Sequence, residues 1–376
     1  MNARTSEEAY FDHAATTPMR PEALDAMTRV LANDFGNPSG VHLRARDARA
    51  LLEDARDRFA AVVGASPHEV VFTGCGTESI NLAMRSVSVS SVAASAIEHD
   101  AVRETAAAMG RAGVRLTELR VDSDGVLEIS ALLVSGADLV AVMAVNNEVG
   151  TLQPVLDVAN HCKASGSLLL VDAVQALSWI DVRPIVGVAD FVAFSAHKFG
   201  GPKGVGALIV RGGRRIEPLL YGGGQEQERR SGTQNVAGIV AMATAAEITD
   251  RNRNADSARI GRLRDRLVDG LVGRIDGCTE TVPRNVKVAG SAHVCIEGIS
   301  SEELLVLLDR EGVYASAGSA CASGALHVSP VLLAMGVSKE RALGSLRLSL
   351  GVTSTDTDVE HALAAVPGVV ARLRGG

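Results

Sequence analysis

Apolar residues recur along this chain in two alternating rhythms. From Pro21 to Leu31, Leu24, Met27 and Leu31 fall at helical spacing, and Pro21 suits a first helical turn. Ala48, Leu51, Leu52, Ala55, Phe59, Val62 and Val63 then repeat every three to four positions, which predicts a longer amphipathic helix. Short uninterrupted apolar runs follow: Val70 to Phe72, Leu139 to Val145, Leu168 to Val171, Phe191 to Phe194 and Val205 to Val210. Each has the length of a strand and is bounded by turn residues, and helical stretches from Asp100 to Gly110 and from Val155 to Ala164 lie between them. Strands with no polar alternation are buried on both faces. The pattern therefore predicts an α/β unit with a mostly parallel, doubly covered sheet.

A polar run, Asp250 to Asp256, suggests a boundary. An Arg-rich helix follows, with Ile260, Leu263, Leu267 and Leu271 as its stripe, and its charges read as a solvated face. The remainder forms a second, smaller unit. It holds a strand from Ala292 to Ile296, a helix from Glu302 capped by Ser300 with Glu303 three residues on, a strand from Ser345 to Leu350, and a final helix from about Asp358.

Length and composition narrow the classes. The 376 residues suit about two domains. With 47% hydrophobic and 22% charged residues, wholesale disorder is excluded. A net charge of −7 argues against a general nucleic-acid binder, and no apolar run of membrane-spanning length occurs. The first residues carry two adjacent acids and resemble neither a secretory signal nor a transit peptide. Five cysteines with no C-x-x-C spacing speak against a disulfide framework, so a reducing cytoplasm is expected. No His/Cys cluster has metal spacing. Only five lysines occur among 37 basic residues, so a lysine in an apolar context needs a reason.

Four strand ends carry candidate chemistry. Phe191 to Ser195 runs into Ala196-His197-Lys198 and a Gly-rich turn; partial desolvation would make Lys198 a competent amine, although a loop lysine beside a turn fits too. Leu168 to Val171 ends in Asp172, where α/β sheets bind ligands, or where a turn or cap needs an Asp. The strand Glu69 to Thr73 enters Gly74-Cys-Gly-Thr77 at a helix start, a phosphate cradle that is neither a Walker motif nor a dinucleotide fingerprint. Asn146-Asn147 ends another strand and would deliver amides or form a turn. A cradle, an amide, a carboxylate and a lysine on one sheet edge are the set that pyridoxal phosphate requires.

The motifs Tyr10-Phe-Asp-His-Ala-Ala-Thr-Thr-Pro18, Phe35-Gly-Asn-Pro-Ser39, Gly76-Thr-Glu-Ser79, Glu98-His99, Asn146-Asn-Glu-Val-Gly150, Ser195-Ala-His-Lys198, Arg230-Ser-Gly-Thr233, Ser319-Ala-Cys321 and Arg347-Leu-Ser-Leu-Gly351 span nearly the whole chain. Together they resemble the cysteine desulfurases, fold-type-I pyridoxal-phosphate enzymes of the class V aminotransferase group, in their long-loop subgroup. The resemblance implies conversion of L-cysteine to L-alanine, with the sulfur passed as a persulfide on Cys321 to an acceptor or iron–sulfur scaffold protein, or into tRNA or cofactor thiolation. It implies that Lys198 carries the cofactor as a Schiff base and shuttles protons. Asp172 would pair with the ring nitrogen, and His99 would stack on the ring and act in proton transfer. Asn147 and Gln175 would lie around the phenolic oxygen. Gly76, Thr77, Ser195 and His197 would bind the phosphate, joined by Thr233 from the second subunit of a homodimer. Arg347 would clamp the substrate carboxylate, with Asn37 and Asn147 positioning the substrate. The implied division is a large cofactor domain, residues 15–252, and a small domain, residues 1–14 and 253–376, carrying the cysteine loop.

Cys321 lies among small residues, as a travelling thiol requires, although a lone cysteine also suits a buried structural role. Cys295 and Cys162 read as core, Cys278 as a loop residue, and Cys75 as either a small side chain in the cradle or a second persulfide carrier. His13 is expected at the rim of the site. A selenocysteine lyase, another aminotransferase-type enzyme and a non-catalytic scaffold homologue remain as rival readings.

Overall fold

A computed structural model describes residues 8–133, 135–318 and 328–375; Cys321, with Ser319 and Ala320, lies outside them. The central sheet has seven strands in the order Val70–Thr73, Gly206–Val210, Phe191–Ser195, Leu168–Asp172, Leu139–Met143, Ser91–Ser95 and Arg115–Leu119. Neighbours run parallel except at Gly206–Val210, which is antiparallel to both its partners. Side chains alternate between faces. Val140, Val142, Val171, Val192 and Phe194 enter one core cluster, while Leu139, Ala141, Leu170, Phe191 and Ala193 enter another. Both faces are therefore apolar and covered, which is why these strands read as continuous runs.

The helix Pro21–Asn33 forms where expected, but its stripe differs. Ala23, Ala26 and Val30 are buried, whereas Leu24 and Leu31 are 38% and 65% exposed. The cause is the partner surface. This helix and Leu43–Val63 both pack on the helix Val236–Arg274, whose first half buries Ala237, Ala241, Ala245 and Ala246. Small residues on both sides let the axes approach closely, so alanine rather than leucine faces the contact.

The polar run at 250–256 does not interrupt the chain, and Val236–Arg274 is one 39-residue helix. Asp250 and Arg253 are partnered. Asp250 accepts from Arg253 at 2.6 Å and from Arg183 at 2.5 Å, and Arg253 also donates to the Leu177 carbonyl at 3.0 Å. Beyond the run, Ile260, Leu263, Leu267 and Leu271 enter a separate core with Ala292, Val294, Ile296, Leu346 and Leu348. That core lies under an antiparallel sheet of Ser345–Ser349, Ser291–Ile296 and Cys278–Glu280. Cys278 is thus a buried strand residue rather than a loop residue. The helix Ser301–Arg310 begins without a side-chain cap from Ser300. The neighbouring Ser301 hydroxyl donates instead to the Leu343 and Ser345 carbonyls at 2.6 and 2.7 Å, which holds the helix start on the sheet by a different route. The last helix is Asp356–Gly375. A two-residue parallel pair joins Ala9–Tyr10 to Val313–Tyr314 and brings the amino-terminal segment onto this unit. No helix among the described residues is long and apolar enough to cross a membrane.

Gly344 is held where this sheet meets its loop, and a β-carbon there would collide with the Ile296 backbone carbonyl. Gly344→Ala is expected to cost about 1–3 kcal/mol as backbone is forced aside. Urea unfolding followed by circular dichroism would measure this as a lower midpoint with an unchanged slope.

Candidate active site

Parallel strands end on one edge of a sheet, so the residues just beyond them share a crevice. Here Met143 and Asp172 are register partners, and Asp172 in turn is paired with Ala193, two residues before Ser195. The crevice is a cavity of about 270 Å³ lined by Gly76, Thr77, His99, Asn147, Asp172, Gln175, Ser195, His197, Lys198 and Arg347. These ten residues are brought together from four strand ends, two helix starts and the small unit. Asn37 and Thr233 are not among its lining. Both are exposed, Asn37 in the turn before Leu43–Val63 and Thr233 in the segment before Val236–Arg274.

At one end the helix Gly76–Arg85 begins, with Cys75 at its cap position and half-buried in the cavity wall. A β-carbon at Gly76 would lie 2.6 Å from Val174 Cγ2, so a side chain there would push Val174 aside. Ser195 is 2% exposed, and its hydroxyl has no hydrogen-bond partner among the described residues. His197 shares a 3.2 Å hydrogen bond with Thr16 Oγ1. Burial, with Lys198 and Lys203 nearby, pushes its pKa down to about 4. It is therefore a neutral ring at pH 7. An orphaned buried hydroxyl beside a helix start and a neutral imidazole fit a phosphate group.

At the other end sits Asp172, 6% exposed, with Oδ1 accepting from the Val174 amide at 2.9 Å. The turn reading of this Asp is therefore correct as far as it goes. Burial raises its pKa, partly offset by that amide and by the positive fields of His99 and Lys198. A buried carboxyl in this position gains from a protonated ring nitrogen. Lys198 Nζ donates to the Ala14 and Ala15 carbonyls at 2.5 and 3.0 Å, and Gln175 Nε2 donates to the same Ala14 carbonyl at 2.7 Å. His99 caps the helix Asp100–Arg111, its Nδ1 accepting from the Ala101 amide at 3.0 Å. That bond leaves Nε2 as the donor nitrogen of the ring. The donor set, the orphaned Ser195 hydroxyl and the glycine-walled cradle all fit pyridoxal phosphate.

Arg347, 4% exposed, donates through Nη2 to Asp12 at 2.9 Å and through Nη1 to the Asn147 carbonyl at 3.1 Å. Its Nε has no partner among the described residues, so one donor of the fork is left unsatisfied. Asp12, the charged partner of this buried arginine, is a residue the sequence pattern does not single out. It stands inside a quoted motif, but nothing in the sequence pairs positions 335 apart. Asn146, by contrast, forms the turn: its Oδ1 accepts from the Glu148 and Val149 amides at 2.9 Å each. Burial raises the pKa of Glu148, opposed by a bond from Ser329 and by Arg347. His13 is buried, bonds Thr17 Oγ1 at 2.7 Å and lines an adjoining cavity, so it supports the site from outside.

With this geometry in place, the comparisons have a physical counterpart. The family Aminotransferase class-V matches residues 9–362, and the chain belongs to that family. Within it, the chain is 42% identical to an IscS-like cysteine desulfurase of Mycobacterium tuberculosis, covering 97% of each protein. It is 37% identical to the cysteine desulfurase IscS of Dictyoglomus turgidum over 98% of this chain and 95% of that one. Its fold superposes on a NifS-like protein with a TM-score of 0.90 at 36% identity, covering 97% of this chain and all of the other.

Glu98 is the second acid of the cavity wall, 2% exposed, with Oε1 accepting from the Met143 amide at 2.7 Å and Oε2 unpartnered among the described residues. Burial and the Asp172 charge hold its pKa well above the usual carboxylate range. The folded protein thus keeps a proton that the unfolded chain loses near pH 4.3 or so. The stability associated with that proton is fully present below this value and is lost as pH rises toward the folded pKa. Glu98→Gln removes the dependence. Its melting temperature relative to the wild type is expected to rise steadily between pH 5 and pH 8, measured on cofactor-free protein; a constant difference would contradict the assignment.

Proposed function

We infer that the chain is a cysteine desulfurase that converts L-cysteine to L-alanine and holds the sulfur as a persulfide on Cys321. The observation that carries this reading is the joint placement of Lys198, Asp172 and Arg347 on one cavity, inside a family whose near relatives bear that name. Bound there, pyridoxal phosphate supplies an electron sink that makes the substrate Cα proton acidic. The remaining work falls to the chain. Arg347 Nε and its fork receive the substrate carboxylate. Asp172 keeps the ring nitrogen protonated. Lys198 Nζ, freed from the Ala14 and Ala15 carbonyls, moves the proton at the substrate Cα, and His99 Nε2 offers a second donor at the cavity.

The sulfur step balances without an external oxidant. An S–S bond forms between Cys321 Sγ and the substrate sulfur. The substrate Cβ–S bond breaks with its electron pair left on carbon, and a proton takes the place of sulfur there. The persulfide then passes to an acceptor protein of iron–sulfur assembly or thiolation. A cytoplasmic setting suits a thiol that has to stay reduced. We assign residues 15–252 to a cofactor domain and residues 1–14 and 253–376 to a small domain, in line with the separate cores. A homodimer accounts for Thr233, which is exposed and outside the cavity of its own chain and would complete the phosphate site of the partner.

Holoenzyme is expected to be yellow and to release alanine and sulfide in equal amounts from cysteine and a reductant. Lys198→Ala should lose the colour and lower alanine formation by about 10²- to 10⁴-fold. Cys321→Ser should abolish sulfide release yet keep the absorbance change on adding cysteine. A protein that cannot be loaded with the cofactor would overturn the reading.

A further inference from the structure

The cradle at the phosphate end of the cavity is shaped by an acid. Glu78, in the first turn of the helix Gly76–Arg85, reaches back, and its Oε2 accepts from the Gly74 amide at 2.7 Å. The Cys75 carbonyl is held as well, accepting from the Thr73 and Ser79 hydroxyls at 3.2 Å each. These bonds close the turn that sets Gly76 and Thr77 in the cavity wall beside the orphaned, buried Ser195 hydroxyl. The same carboxylate places a negative charge one residue beyond Thr77, just behind the cradle. Left alone, that charge would repel the phosphate that the helix start and Ser195 attract.

Arg230 answers that charge. Its Nε donates to Glu78 Oε1 at 2.8 Å and its Nη2 to Oε2 at 3.4 Å. The segment that delivers it is strained: Glu226, Gln227 and Glu228 have φ of 51°, 59° and 65°, a left-handed run that non-glycine residues seldom adopt. Such backbone persists only where its surroundings over-determine it. Here Glu226, 5% exposed, accepts from Arg56 Nη1 and Nη2 at 2.9 Å each and from the Phe72 amide at 2.9 Å. Arg229 donates to the His68 carbonyl at 2.8 Å and to Gln227 Oε1 at 2.9 Å. Phe72 belongs to Val70–Thr73, the strand that runs directly into the cradle. The acid that shapes the turn and the cation that neutralises it are therefore both referenced to one strand.

We propose that Arg230 is a positioning residue for the cofactor phosphate: acting through Glu78, it cancels the charge of the acid that shapes the cradle and so lets a phosphate settle there. The proposal rests on the reading of Gly76, Thr77 and Ser195 as a phosphate site for pyridoxal phosphate. Neither Glu78 nor Arg230 is among the residues lining the cavity, so the effect reaches the phosphate through the turn and its field rather than by contact. The division of labour is specific: Glu78 supplies shape at the Gly74 amide, and Arg230 supplies the compensating charge.

The test compares pyridoxal phosphate with pyridoxal, which differ only in the phosphate. Their dissociation constants are read by absorbance titration of the full chain, freed of cofactor with hydroxylamine. The wild type is expected to prefer pyridoxal phosphate. In Arg230→Ala that preference should fall about tenfold, with the pyridoxal constant unchanged. Glu78→Gln removes the charge yet keeps an oxygen for the Gly74 amide, and its preference should equal or exceed that of the wild type. Combining Arg230→Ala with Glu78→Gln should restore most of the preference, a rescue that a merely structural role of Arg230 would not produce. An undiminished preference in Arg230→Ala would overturn the proposal, as would a double variant no better than Arg230→Ala. If Arg230→Ala fails to fold, Arg230→Gln keeps a donor without the charge and is judged by the same outcomes. A wild-type chain that binds the two ligands equally would instead overturn the phosphate-site reading itself.

Discussion

The guanidinium of Arg347 is the joint on which this architecture turns. It projects from the strand Ser345–Ser349 of the smaller sheet, reaches Asp12 in the amino-terminal segment, and reaches the Asn147 carbonyl beyond the large sheet. Three stretches, distant in sequence, are thereby registered at a single buried fork. Asp12 is about a quarter exposed, whereas the arginine side chain is 5% exposed, so the pair sits at the edge of the protein interior. Removing one member of a buried pair strands the other charge and typically costs about 3–5 kcal/mol. The same contact thus ties the two units to each other and leaves the Arg347 Nε without a partner among the described residues.

The cavity itself is a problem in charge placement. Asp172, Glu98 and Glu148 are three buried acids in its wall, and Lys198, His99, Arg103 and Arg347 line it with them. Burial pushes all three acid pKa values up, and the Asp172 charge adds to the effect on Glu98. The three then separate by their partners. Glu148 is answered by a serine hydroxyl and the charges of Arg347 and Arg103, Glu98 by one amide, and Asp172 by one amide together with two positive fields. Asp172 is the one of the three that faces Lys198 and His99 together, and Glu98 keeps one oxygen without a partner among the described residues.

Much of this was legible in the sequence, because buried parallel strands write their own pattern and leave their functional residues at the ends. Lys198, Asp172 and Gly76 were singled out that way, and all three line the cavity. What escaped the sequence depended on partners far along the chain. Leu24 and Leu31 carry the stronger hydrophobic signal in their helix, yet alanines face the core because the opposing helix is itself lined with alanine. The polar run at Asp250 reads as a break, and the structure answers it with ion pairs to Arg183 and Arg253. Ser300 and Glu303 satisfy a capping rule locally, but Ser301 is claimed by the Leu343 and Ser345 carbonyls. The strands Ser91–Ser95 and Arg115–Leu119 lack a long apolar run and are set by their pairing with each other and with Leu139–Met143. Asn37 and Thr233 matched motifs, but both are exposed and lie outside the cavity lining of this chain.

The cysteines illustrate how a fold selects one thiol by withholding the others. Burial pushes the Cys162 and Cys278 thiols up to about 11 and raises Cys295 as well. At pH 7 a thiol with such a pKa is ionised in about one molecule in ten thousand, and the thiolate is the nucleophile. Cys162 is packed into the large core, Cys278 into that of the small unit, and Cys295 into a cluster with Met143 and Val149, so none has a path to incoming sulfur. Cys75 differs, half-buried at a helix start on the cavity wall. It lies beside Gly76 in the cavity wall, outside the cores that hold the other three. A chain that carries persulfide sulfur has to keep its structural thiols from competing for it, and burial in three separate cores achieves this without excluding cysteine from the sequence.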